Sequence, residues 1–90
     1  DKITSLRSLI NQFPKSVFID DALFDIAKVH LQNEEYATAV SEVDNIITNY
    51  PRSIYIRKAM LNKGLALFNQ DKDDDALTTI KTLIKTLILI

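Results

Sequence analysis

Apolar residues recur every three or four positions in five stretches of this chain, the first four closed by a polar or proline-containing break. That spacing puts the apolar side chains on one stripe of a helix. The first stretch runs from Asp1 to about Gln12, with Ile3, Leu6, Leu9, Ile10 and Phe13 on the stripe. Phe13-Pro14-Lys15-Ser16 ends it, because a residue before proline is driven out of the helical region. Ser16 is placed to cap a second helix, which runs to about Gln32 and carries Ile19, Ala22, Leu23, Ile26, Ala27, His30 and Leu31. Gln32-Asn33-Glu34-Glu35 makes a turn, with Glu34 and Glu35 expected in the first turn of the third helix, where the helix dipole favours negative charge. The third helix carries Tyr36, Ala39, Val40, Val43, Ile46 and Ile47 and stops at Tyr50-Pro51. Ser53 is expected to cap the fourth helix, with Ile56, Ala59, Met60, Gly64, Leu67 and Phe68 on its stripe. Asn69 to Asp73 turns the chain into a fifth helix bearing Ala76, Leu77, Ile80, Leu83, Ile84 and Leu87.

The breaks themselves repeat. Phe13-Pro14-Lys15-Ser16 returns 37 positions later as Tyr50-Pro51-Arg52-Ser53. Ile19, Ala22 and Ala39 return as Ile56, Ala59 and Ala76. A fixed period of this size signals a solenoid, whose units bury their apolar faces only by stacking on neighbours. Short connections make successive helices antiparallel. Small residues recur at matched places (Ala22, Ala27, Ala39, Ala59, Gly64 and Ala76), where two helices can approach to about 8 Å.

Composition narrows the function. Apolar residues are 47% and charged residues 26% of 90, the balance of one small globular domain without a deep enclosed cavity. The net charge of −1 gives no basic nucleic-acid footprint. Without cysteine there are no disulfides, thiolate metal sites or cysteine nucleophiles, and that absence does not choose between cytoplasm and periplasm.

The residues in these slots resemble the tetratricopeptide repeat (TPR) family. Leu23, Ala27, His30, Ala39 and Pro51 fill its pattern in one unit, and Met60, Gly64, Leu67 and Ala76 in the next, with Ile88 where proline is expected. The usual period is about 34 residues. The extra length lies around Tyr-Pro-x-Ser, which is similar to bacterial cell-envelope TPR proteins, both outer-membrane assembly lipoproteins and periplasmic proteins that coordinate envelope constriction. The resemblance implies an all-α, right-handed superhelical stack of five helices. Residues 1–13 would be the second helix of a preceding repeat, 14–50 one repeat, and 51–90 a second, truncated one. Lys2 stands where that first helix should have its alanine, and the end lacks the closing aromatic-proline pair, so the expectation is a slice of a longer array with sticky terminal helices able to self-associate.

No constellation for chemistry emerges. His30 has no second histidine or cysteine to join it as a metal ligand and reads as a packed structural residue. Asp71-Lys72-Asp73-Asp74-Asp75 lacks the alternation, glycine and distal glutamate of a calcium loop and reads as an acidic helix start. No nucleophile–base set or phosphate loop is present, so neither enzyme activity nor a cofactor is expected. The Leu87–Ile90 run is too short to span a membrane.

What remains is binding. The resemblance puts the first helix of each repeat on a concave face, here Asp21, Phe24, Asp25, Lys28, Lys58, Leu61, Asn62, Leu65 and Asn69. Phe24, Leu61 and Leu65 could receive a peptide or helix of a protein partner, or could pack between adjacent first helices. Phe24 and Lys28, with Leu61 and Leu65, occupy the slots of the family's carboxylate clamp, so that clamp is absent. Asp20 and Asp21 match Arg57 and Lys58 across the period, which reads either as ion pairing between repeats or as a polarised groove. The expected role is a protein–protein interaction scaffold in the periplasm or at the outer membrane. A purely structural segment of a longer array and a regulatory helical domain of a larger enzyme are the alternatives.

Overall fold

In the computed structural model, which describes residues 1–13 and 18–88, five helices follow one another: α1 (Lys2–Gln12), α2 (Ile19–Gln32), α3 (Tyr36–Asn49), α4 (Ile56–Asn69) and α5 (Asp73–Ile88). No strand occurs among the described residues. The fold is the expected all-α helical repeat.

The period is visible in the backbone. Phe13 (φ −130°, ψ 61°) and Tyr50 (φ −134°, ψ 57°) end α1 and α3 in nearly the same conformation, and each N–H closes on a carbonyl four residues back. Each precedes a proline, which disfavours another helical turn. The other pair of ends also matches. Glu34 (φ 61°) and Asp71 (φ 59°) are left-handed. Around them Glu35 N–H donates to His30 O and Glu34 N–H to Leu31 O, while Lys72 N–H donates to Leu67 O and Asp71 N–H to Phe68 O. These are two Schellman closures 37 residues apart, built on acidic residues where glycine is commonest. Glu34 and Glu35 therefore precede α3 and lie outside its first turn. Asp73, Asp74 and Asp75 do occupy the first turn of α5.

The capping expectations fare differently. Ser16 lies outside the described residues. Ser53 does not cap α4: its Oγ accepts from Tyr55 N–H at 3.1 Å, ahead of the helix, and donates to Asp20 Oδ2 at 2.5 Å. The helix starts three residues later because this short turn satisfies the backbone first. The Asp1 side chain caps α1, accepting from Thr4 N–H at 2.8 Å.

α2 packs on α3, α3 on α4 and α4 on α5, with α1 against α2. The core lies where α2, α3 and α4 meet, in Ile19, Leu23, Phe24, Ala27, Val43, Ile46 and Ala59, with Ile10, Ile47, Tyr50, Tyr55 and Ile56 around it. All six small residues picked out by the period are buried. α1 contributes no buried residue and is held to α3 by the Arg7–Glu42 ion pair.

Candidate functional site

The face proposed for binding is carried by α2 and α4, which touch each other. On α2, Asp21, Asp25 and Lys28 are partly exposed, but Phe24 is only 6% exposed. Its ring stacks on Tyr55, with centroids 4.9 Å apart and planes at 20°. Phe24 therefore packs between repeats and does not line an open groove. Lys28 Nζ lies 5.5 Å from the same ring and 3.7 Å from Asp25 Oδ1. On α4, Leu61 and Leu65 are each 47% exposed. Lys58 is exposed, Asn62 half-buried, and Asn69 donates back to Leu65 O at 2.8 Å, a bond local to its own helix.

The structure thus joins Asp21, Phe24, Asp25 and Lys28 into one cluster through Tyr55, which sequence reasoning did not select. Tyr55 sits one residue ahead of α4, at the repeat position of Phe18, so the aromatic recurrence was a signal available in the chain. A hydrogen bond to the Asp21 carboxylate, with lesser help from burial and the charges of Asp21, Asp20 and Asp25, raises the Tyr55 phenol above its ordinary value. A raised folded-state pKa means the unfolded chain gives up this proton first. The contribution to stability is present below about pH 10 and is lost as pH rises through the folded value. Asp21→Asn should lower the Tyr55 ionisation midpoint in an ultraviolet titration and flatten the loss of stability above that pH.

The acid–base match between repeats is not an ion-pair ladder. Asp20 bonds Ser53 and Asp21 bonds Tyr55, whereas the cross-helix ion pairs among the described residues are Arg7–Glu42 and Lys63–Asp44. His30 is buried at 9% exposure, with Nδ1 3.4 Å from Glu35 Oε1, as a packed structural histidine would be. No group of three or more metal-capable side chains occurs among the described residues, and no described helix is long and apolar enough to cross a membrane.

No curated protein matches the chain. A family model does, that of the YfiO outer membrane lipoproteins, over residues 1–87 of 90. Nearly the whole solenoid falls within that match, and the chain belongs to the YfiO outer membrane lipoprotein family.

Proposed function

We propose that this chain is a non-catalytic interaction module of the bacterial envelope, working in the periplasm or at the outer membrane. It binds a peptide or helix of a partner protein on the face that α2 and α4 share. Leu61 carries the reading. It is 47% exposed on a helix whose opposite side holds the fully buried Ala59 and Ala66. An exposed leucine beside the half-buried Asn62 and the partly exposed Asp21, Asp25 and Lys28 is the mixture that takes an amphipathic segment. Family membership supports the envelope setting.

The structural alternative rests on Phe24, whose burial against Tyr55 is a packing role. One pair of variants separates the two. Leu61→Glu should abolish envelope-protein cross-links formed from a photoreactive residue at position 62, with the melting temperature unchanged. Phe24→Ala should lower the melting temperature, because truncating a buried phenylalanine costs about 3–5 kcal/mol. Cross-links at position 62 that survive Leu61→Glu, or a Leu61→Glu chain that melts as early as the Phe24 variant, would remove the binding role.

A further inference from the structure

On the α2 side, the directional contacts that tie one unit to the next end on a single short turn. Ser53 Oγ donates to Asp20 Oδ2 at 2.5 Å, the Tyr55 O–H donates to the Asp21 carboxylate, and the Tyr55 ring stacks on Phe24. Arg52 and Ile54 are exposed while Ser53 and Tyr55 are half-buried, so the turn presents alternate residues to the unit behind it. The turn is itself held as one piece. Ser53 N–H donates to Tyr50 O at 3.0 Å, Tyr55 N–H to Ser53 Oγ at 3.1 Å and Ile56 N–H to Ser53 O at 3.3 Å. It therefore moves with α4.

On its other side α4 is seated on α3. Ala59, Val43 and Ile46 are each 0% exposed in that core, and Lys63 Nζ reaches Asp44 Oδ1 at 2.6 Å. An alanine at a helix contact lets the axes come close, but so small a side chain does little to fix the angle between them. The angle needs directional contacts placed away from the α3–α4 line, and the turn supplies them. Their acceptors are charged, and such hydrogen bonds are roughly twice as strong as neutral ones. Arg57 and Lys58 stand at the positions of Asp20 and Asp21 one unit later, so this fastening is particular to the joint between α2 and α4. Both sides of that joint lie within the described residues.

We propose that the Ser53–Tyr55 turn is a strap that sets the spread between α2 and α4. With the strap closed the two helices are held at one angle; with it open α4 swings about its contact with α3. The strap sets the width of the face that α2 and α4 share, whether or not that face takes a partner.

The chain has no cysteine, so spin labels can be placed at chosen positions. Gln32 and Asn69 are exposed, end α2 and α4, and occupy the same position in successive units. Gln32→Cys with Asn69→Cys reads the spread across the joint by dipolar electron paramagnetic resonance. Gln32→Cys with Thr38→Cys reads a pair inside one unit. Ser53→Ala with Tyr55→Phe removes both hydroxyls and keeps a ring on Phe24. In that double variant the distances across the joint should lengthen and broaden, while those inside the unit stay as they are. Each hydroxyl removed alone should raise the population of the wide state by about tenfold or more, the scale of a hydrogen bond to a charged group. Ser53→Thr keeps a hydroxyl and should keep the parent distances. An unchanged distribution across the joint in the double variant overturns the proposal, because the α3 seam alone would then set the angle. So does equal broadening of both pairs, or loss of the cooperative melt, either of which would make the turn part of what holds the fold together.

Discussion

Truncating Ile46 to alanine should cost about 2–5 kcal/mol, against roughly 5–13 kcal/mol of total stability for a domain of this size. Ile46 has 0% exposure and lies in the core where α2, α3 and α4 meet. Removing its branches leaves a cavity walled by backbone-supported helices, so little collapse can offset the loss. A urea denaturation midpoint would read the change directly, with the slope unaltered if unfolding stays two-state. The repeat supplies an internal control. Leu83 occupies the same position one unit later but is half-buried, since among the described residues no helix covers α5 as α4 covers α3. Leu83→Ala should therefore shift the midpoint far less. Equal shifts would mean that the stacked seam is not what stabilises the fold.

Much of this architecture was legible because helix periodicity and the 37-residue repeat are both local signals. Pro51 fixes the end of α3, and the small residues mark close helix contacts before any coordinate is known. What the period cannot specify is which residue of one unit meets which residue of the next, because that depends on how the units rotate as they stack. Asp20 and Asp21 illustrate the gap. They match Arg57 and Lys58 along the chain but find Ser53 and Tyr55 in space. Phe24 was ambiguous for the same reason, since its exposure depends on whether an aromatic ring from the next unit arrives above it, and Tyr55 does. Glu34 and Glu35 failed for a different one. The left-handed closure of α2 consumes Glu34 and leaves Glu35 as the residue before the helix, so α3 begins at Tyr36, after both acids.

Gly64 offers the second large effect, and its sign depends on Ile80. A Cβ added at Gly64 would meet Ile80 Cδ1 at 2.8 Å and Cγ1 at 3.3 Å. In the preceding unit the same two positions hold Ala27 and Val43, 1% and 0% exposed. One carbon has moved across the contact: alanine facing valine in one unit, glycine facing isoleucine in the next, with equal side-chain carbon totals. Gly64→Val alone overfills this space and adds a β-branched side chain to the helix, and should destabilise by about 1–3 kcal/mol. Gly64→Ala alone should be nearly neutral. The alanine gains close to 1 kcal/mol of helix propensity, but the end of Ile80 must swing away from the new methyl. The double variant Gly64→Ala with Ile80→Val rebuilds the pair already used between α2 and α3. It should keep the propensity gain without the overlap, raising stability by up to about 1 kcal/mol over the parent chain. Thermal melts of Gly64→Ala, Ile80→Val and the double variant decide it through the coupling between the two sites. A double variant no more stable than Gly64→Ala would show that Ile80 already yields freely, and that the exchange of one carbon between units is coincidental rather than complementary.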